Sequence, residues 1–215
     1  MVDDNSISEM DAKIKMALHH PNYTHMIIEA NQPALVNFDL WIFHPGMLFQ
    51  SLDKWWGDFG RREFPHEGID FCLYKNRIGQ MHRLSSETQI PVIFGGVVRA
   101  MFKDYLGQAI IVEHETDNIA NGKYLTVYAH TKPRKGVQPG LQVKKGDIIA
   151  TIADTRHSKA NILPHLHFSL AIPNPDLGYQ DFVWNIMRDP ARITLLDPLN
   201  LVKADYHVSD KEDLA

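Results

Sequence analysis

The sequence is poor in the features that would indicate a compartment or a highly charged partner. Its 215 residues include one cysteine, Cys72, so no internal disulfide can form and cysteine usage does not indicate a redox compartment. The 26 acidic residues outnumber the 22 basic ones, which gives a formal net charge of -4. Nucleic acid is therefore not an expected partner, because binding to phosphates requires an excess of basic residues.

Long apolar segments are also missing. No run approaches the roughly 20 residues that a membrane-spanning helix needs. The first ten residues, MVDDNSISEM, are acidic and lack the apolar core of a signal peptide. We therefore expect neither a transmembrane segment nor an export signal in the chain as written. Hydrophobic residues still make up 44% of the sequence, enough to bury a substantial core in one domain with elaborations.

Short apolar runs dominate the chain from about residue 34 onward. Segments such as QAIIVEHE, YLTVYAHT and LHFSLAI are separated by Gly, Pro and Asn, a pattern typical of strands joined by tight turns. The sequence therefore predicts a mainly β fold in which antiparallel strands form two packed sheets, as in a β-sandwich. A short helix is predicted near the C-terminus, around residues 180–187.

The N-terminal region has a different pattern. Apolar residues recur at helical spacing between Ile7 and Leu18, and Ser6 with Glu9 can form a capping box, so a helix is predicted that ends before Pro21. The predicted organisation is a helical N-terminal extension, a β domain and a polar tail, at residues 1–45, 46–203 and 204–215.

The stretch HEGID, from His66 to Asp70, resembles the zinc-binding sequence H-E-x-x-H with an aspartate in place of the second histidine. A helix is disfavoured by the preceding proline and by Gly68, and the following run IDFCLY favours a strand. On a straight strand His66 and Asp70 would lie about 13 Å apart, too far to share a metal. We therefore predict a bend at Gly68 that brings them together, and we place Glu67 on the surface or behind the ligands.

Three further histidines follow HEGID at a distance along the chain. His165 and His167, in PHLHF, lie on one face of a predicted strand, about 6.6 Å apart. This motif alone is equally consistent with two histidines flanking Leu166 on a polar face. His130 ends the apolar run LTVYAHT. The full set offers a His/Asp/His group with two additional histidines, and three protein ligands with an open position are typical of catalytic zinc.

The motifs HEGID, YLTVYAH, VQPGLQVKKGDIIATIA and PHLHFSL, in this order, resemble the lysostaphin/LytM-type zinc metallopeptidases of family M23. The resemblance covers about residues 57–172. It implies one Zn²⁺ per chain, bound by His66, Asp70 and His167 in a groove across the larger sheet, with His130 and His165 as the catalytic histidines. It also implies endopeptidase cleavage of cross-links or stem peptides in bacterial peptidoglycan. A periplasmic or extracellular location would follow, although the chain as written has no signal peptide.

The sequence departs from the family pattern at three places. First, only three residues separate Arg62 from His66. Second, the glycine-rich stretch that usually precedes the H-x-H motif is replaced by ATIADTRHSKANILP before His165. Third, the inserted residues 173–190 have no familiar counterpart in the family. One alternative function is a non-catalytic LytM-like domain that binds or activates a cell-wall hydrolase, although all five site positions are retained. Another is a lipoyl- or biotinyl-type carrier, suggested by GLQVKKGDIIATI, which leaves HEGID and PHLHF unexplained.

Several other residues could belong either to the site or to the core. Trp55 and Trp56 could line the groove or divide between core and rim. Cys72 is expected to be a buried structural thiol, and His114 is given no catalytic role. Tyr179, Phe182 and Trp184 could also line the groove. We expect instead that these aromatic residues pack the short helix against the domain.

Overall fold

A computed structural model describes residues 22–116, 122–156, 158, 161–180 and 182–209. The helix predicted between Ile7 and Leu18 lies outside these residues. In the described part the chain is mainly β and forms two sheets, which confirms the predicted fold class. The predicted domain boundaries stay predictions.

The smaller sheet has four strands in the order β13-β1-β3-β4. Their bounds are Phe38–Phe43 for β1, Leu73–Asn76 for β3, Met81–Arg83 for β4 and Tyr206–Val208 for β13. The pairing of β1 with β13 is parallel, whereas the other pairings between the described strands are antiparallel, as predicted. The C-terminal strand thus returns to pair beside β1.

The larger sheet has nine strands, six of them in the order β12-β11-β8-β7-β6-β9, with β2, β5 and β10 attached. The first five are β2 (Ile69–Phe71), β5 (Gln89–Pro91), β6 (Gly96–Lys103), β7 (Gln108–Glu115) and β8 (Lys123–Pro133). The others are β9 (Gln142–Val143), β10 (Ile148–Ile152), β11 (Leu166–Pro173) and β12 (Ile193–Leu196). The two predicted histidine motifs meet here, because β2 pairs directly with β11.

Two α-helices and two 3-10 turns complete the described fold. Helix α1 (Tyr23–Ala30) begins after Asn22, whose side chain accepts a hydrogen bond from the His25 backbone N–H at 2.9 Å. The sequence reading missed this helix, although Asn22 is a favourable N-cap. The predicted C-terminal helix is confirmed as one turn, α2 (Trp184–Met187), and the 3-10 turns lie at Pro45–Met47 and Pro198–Leu201. None of the helices in the described ranges is long and apolar enough to cross a bilayer.

Alternate residues of the central strands point to opposite faces of the large sheet. In β11, Leu166, Phe168 and Leu170 belong to the main core, together with residues of the smaller sheet and of α1. Ala171 belongs to a second apolar cluster on the other face, the outer cluster, which includes Phe182, Ile186 and Met187. The inserted segment after β11 therefore packs on the outer face of the large sheet, which is also the face that carries His167.

Candidate metal centre

The HEGID stretch bends as predicted, and close packing against β11 explains its glycine. His66 lies in the loop and β2 begins at Ile69. A Cβ atom at Gly68 would lie 2.2 Å from the carbonyl oxygen of Phe168 and 2.7 Å from Ser169 Oγ. Only glycine therefore allows the loop to approach β11 closely enough to place His66 over this strand.

Three predicted ligand atoms converge at this point. Asp70 is paired with His167 across β2 and β11, so their side chains lie on the same side of the sheet. Asp70 Oδ1 lies 3.1 Å from His66 Nε2 and 3.0 Å from His167 Nδ1, and the two ring nitrogens are 2.9 Å apart. All three residues are buried.

The ring nitrogens that face away from this point have partners of their own. His66 Nδ1–H donates to the Leu48 carbonyl oxygen at 3.0 Å, and His167 Nε2 is hydrogen bonded to Ser169 Oγ at 2.8 Å. With protons on these outward nitrogens, His66 Nε2 and His167 Nδ1 are the atoms available to bind a cation.

The second oxygen of Asp70 is held by cationic and polar donors. Trp55 Nε1–H donates to Asp70 Oδ2 at 2.7 Å, and Arg62 Nη2 lies 3.6 Å from the same oxygen. Burial alone would raise the pKa of Asp70, but the adjacent His66, His165 and His167 lower it well below its ordinary value. The carboxylate is therefore charged, with Oδ1 facing the two histidines.

This donor set fits a zinc ion. Nitrogen and oxygen ligands at about 2.0–2.2 Å in a tetrahedral site lie about 3.3 Å from one another. The observed separations of 2.9–3.1 Å are within a few tenths of an ångström of that value. Hydrogen bonds behind each ligand are the usual means by which proteins fix ligand orientation. His66, Asp70 and His167 would therefore hold the ion without rearrangement of their backbone.

His130 reaches the site through an irregularity in β8. Its φ angle is 58°, in the left-handed region, and the register of β7 against β8 shifts at this point. Asp104, in the hairpin between β6 and β7, accepts a hydrogen bond from the His130 backbone N–H at 2.7 Å. His130 Nδ1 lies 3.2 Å from Asp104 Oδ2, but outside hydrogen-bonding geometry, and it has no other partner among the described residues.

Asp104 is a site residue that the sequence reading missed. Burial opposes its ionisation, but contacts with His130 and with the backbone of Leu106 keep its pKa below the ordinary value. The sequence offered one local indication of its role. The stretch KDYLGQ joins two predicted strands, and an aspartate before such a turn commonly accepts hydrogen bonds from backbone N–H groups. Its proximity to His130 could not be read from sequence, since the two residues lie on different hairpins.

His165 lies beside the three ligands. Its Nδ1–H donates to the Leu163 carbonyl oxygen at 2.8 Å, and its Nε2 lies 4.0 Å from Asp70 Oδ1. Burial lowers the pKa of His165 to about 3, so the ring is neutral. The His165 ring packs edge-on to Trp55 and to His130, with centroid distances of 4.9 and 4.8 Å. All five histidine and aspartate positions singled out from the sequence thus lie in one cluster.

A cavity of about 400 Å³ opens beside this cluster. Trp56 lies on its rim, with Arg62 stacked over the ring, while Trp55 is buried beneath the ligands. Of the two positions expected for Glu67, the structure excludes the surface: this residue is 6% exposed and paired with Arg188 of the inserted segment. The lining also includes Lys54, Glu63, Phe64, Tyr105, Leu106, Ile162 and Trp184.

Cys72, although only two residues from Asp70, does not line the cavity and belongs to the main core. It is fully buried, its thiol lies 3.6 Å from the Pro164 carbonyl oxygen, and burial raises its pKa. A buried, protonated thiol agrees with the structural role predicted for it.

Comparison with known proteins gives a family match. The profile described as Peptidase family M23 matches residues 65–177, more than half of the chain. A comparison with curated proteins gave no significant match. Several solved structures resemble the chain at low sequence identity. The matched part of the chain corresponds to 51% of the length of the first of these structures and to 30% of the length of another.

Three of these structures illustrate the range of the similarity. The solution structure of lysostaphin has 22% identity, a TM-score of 0.43 and coverage of 72% of this chain and 51% of that one. A structure described as a putative M23 peptidase from Pseudomonas aeruginosa has 17% identity, a TM-score of 0.41 and coverage of 95% and 64%. Lysostaphin from Staphylococcus simulans has 24% identity, a TM-score of 0.39 and coverage of 64% and 44%. On the profile match over residues 65–177, this chain belongs to peptidase family M23.

Proposed function

We propose that this protein is a zinc-dependent peptidase that hydrolyses peptide bonds in bacterial peptidoglycan, in cross-links or in stem peptides. The observation that supports this most strongly is the convergence of His66 Nε2, Asp70 Oδ1 and His167 Nδ1 within 3.1 Å of one another. Asp70 and His167 line a cavity together with His130 and His165. Membership of family M23 supplies the peptidoglycan-related peptidase class.

Zinc bound at this site would activate water for attack and polarise the scissile carbonyl. The chain's own residues supply the rest. We assign proton transfer to His130, because its imidazole is 14% exposed to the cavity and Asp104 can stabilise its charged form. His165 is enclosed, and its Nδ1–H is fixed on Leu163. We assign it the orientation of the attacking water, through a hydrogen bond accepted by Nε2.

The first test of this proposal is metal content by elemental analysis, on wild type and His167→Ala purified without added metal. Near-stoichiometric zinc in the wild type and its loss in the variant are expected. His25→Ala is the matched control, since this histidine lies on α1 and is 64% exposed at the surface. An equal metal content in all three proteins would contradict the ligand assignment.

The second test separates metal binding from catalysis. His130→Ala should retain zinc but lower the rate of peptidoglycan-fragment cleavage by about 10²–10⁴-fold, the usual contribution of a general acid–base residue. Cleavage at the wild-type rate would exclude the role of His130. Full zinc occupancy without cleavage of any fragment by the wild type would instead favour the non-catalytic, partner-binding alternative.

A further inference from the structure

The connection between β11 and β12 is much longer than its ends require. The two strands are antiparallel neighbours, and Pro173 is paired with Ile193. A tight turn could join them, yet residues 174–192 intervene. We call these residues the covering segment, because they fold back over the outer face of the large sheet. Residue 181 of this segment is not among those described.

The covering segment is firmly packed. Its Phe182, Ile186 and Met187 belong to the outer cluster, and beneath it Ile111 and Val127 are 0% exposed. The hydroxyl of Tyr179, at its start, donates to Glu113 Oε2. Burial of this kind holds the segment as a permanent part of the fold, because exposing the apolar face of β7 and β8 would be unfavourable.

Helix α2 of the covering segment and the residue after it contribute side chains to the cavity beside the metal ligands. Trp184 packs edge-on to His167, with 5.2 Å between ring centroids, and to Phe102 at 5.5 Å. Arg188, four residues later and on the same side of the turn, lies over the ring of Phe64 at 4.5 Å. A peptide bound across the outer face would therefore meet Trp184 and Arg188 soon after passing the metal ligands. Trp184 and Arg188 therefore form part of the cavity wall on that side.

Arg188 offers free donors at this wall of the cavity. Its Nε–H is bonded to Glu67 Oε1, while its two amino groups make no hydrogen bond within the described part of the chain. The side chain is 26% exposed and lines the cavity. A guanidinium with two free amino groups matches the two oxygens of a carboxylate.

The charge of the lining favours an anionic ligand when the metal is bound. The cationic side chains Lys54, Arg62 and Arg188 are balanced by three carboxylates, those of Glu63, Glu67 and Asp70. A divalent cation at Asp70 therefore leaves the cavity with a net positive charge, which attracts a negatively charged group.

From the position of Trp184 and Arg188 in the cavity wall, the free guanidinium and this charge, we propose that the site takes peptides that end in a free carboxylate close to the scissile bond, and that Arg188 binds this carboxylate. The inference rests on the proposed peptidase function. It narrows the endopeptidase activity expected from the family resemblance to cleavage near the carboxyl end of a peptide, with Trp184 limiting the length beyond the scissile bond.

The test compares two stem pentapeptides that differ only at the C-terminus, a free acid and its carboxamide, with zinc-loaded protein and mass spectrometry of the products. We expect the acid to be shortened from its carboxyl end and the amide to be cleaved at least about 10-fold less efficiently in kcat/KM. Arg188→Gln should lower kcat/KM for the acid to that for the amide. The matched control is Arg192→Gln, which changes an exposed arginine of the same segment that does not line the cavity.

A binding measurement separates this inference from the proposed function. Isothermal titration of both peptides into metal-free wild type and Arg188→Gln should show preference for the acid only in the wild type. Equal binding and cleavage of acid and amide by the wild type would overturn the inference while leaving a zinc peptidase in place. Preference for the acid in binding, without cleavage by the zinc-loaded protein, would support the Arg188 assignment and contradict the peptidase function.

Discussion

His114 and His167 are both buried on strands of the large sheet, but their ring nitrogens have opposite surroundings. His114 Nδ1–H donates to the Gly95 carbonyl oxygen at 2.8 Å, and its Nε2 is 2.7 Å from Thr126 Oγ1, so both nitrogens are satisfied by neutral groups. His167 has one such partner, Ser169, and its other nitrogen faces a carboxylate and a second imidazole.

This comparison shows which property identifies a candidate metal ligand. Exposure is 1% for His114 and 3% for His167, and each makes a hydrogen bond to a hydroxyl, so neither burial nor hydrogen bonding separates them. The difference is a ring nitrogen directed at other potential ligands. Strand register creates it, because β2 pairs with β11 and places Asp70 opposite His167.

The largest expected effect comes from Gly68→Ala, which should remove the His66 side of the site. The new methyl group would meet the Phe168 carbonyl oxygen at 2.2 Å, so either the loop or β11 must move. We expect the zinc affinity to fall at least about 100-fold, which corresponds to about 3 kcal/mol, the free energy that overpacking of a tightly packed position typically costs. Competition with a chromophoric chelator measures this affinity.

Gly79→Ala is the control for the glycine change itself. Gly79 has a φ of 80°, and a Cβ atom added there would have no neighbour within 4 Å, so alanine strains the backbone of a remote turn only. The free energy of unfolding should fall by about 1 kcal/mol while the zinc affinity is unchanged. Equal zinc affinities for the two variants would contradict the packing explanation for Gly68.

A smaller effect is expected from a matched pair of hydroxyl deletions, Ser169→Ala and Thr126→Val. Loss of the Ser169 hydroxyl removes the partner that fixes the His167 ring, and changes of this kind lower metal affinity about 10–100-fold. Loss of the Thr126 hydroxyl leaves His114 Nε2 unpaired and should cost about 1–2 kcal/mol of unfolding free energy.

Zinc affinity and urea unfolding of both variants check this prediction. Thr126→Val should bind zinc as the wild type does, within about twofold, because His114 is no ligand in our assignment. A comparable loss of zinc affinity in both variants would show that the two histidines are not distinct in role.

The candidate ligand set follows from the family resemblance, and the motifs that carry this resemblance are local. His66 and Asp70 lie on either side of a glycine bend, and His165 and His167 have the spacing of one strand face. Likewise, short apolar runs separated by Gly, Pro and Asn were sufficient to indicate the β fold. Helix α1 was not predicted, because Pro21 was used only to end the preceding helix and the N-cap Asn22 was not considered.

The remaining features depend on contacts between distant segments. The pairing of Glu67 with Arg188 joins residues 121 positions apart, and the contact of Asp104 with His130 spans two hairpins. Trp184 was predicted to pack, and it does contact Phe102, but its position against His167 follows from the path of the covering segment. No spacing rule in the sequence specifies that path.

The smallest expected effect is a pH dependence that belongs to His114 alone. Burial lowers the pKa of His114 from 6.5 to about 4. Well above pH 6.5 the ring is neutral in both the folded and the unfolded chain and has no effect on stability. As the pH falls below 6.5 the unfolded chain binds a proton first, so the folded state loses stability, by about 1 kcal/mol at pH 5.5.

Urea unfolding of metal-free wild type and His114→Gln between pH 7.5 and 5.5 measures this contribution. The wild type should lose about 1 kcal/mol more than the variant over this range, because glutamine cannot take up the proton. The His66, Asp70 and His167 cluster is common to both proteins, so its own titration cancels in the difference. Parallel pH profiles of the two proteins would mean that His114 is protonated in the folded chain without loss of stability. The contrast between His114 and His167 would then rest on the positions of their ring nitrogens alone.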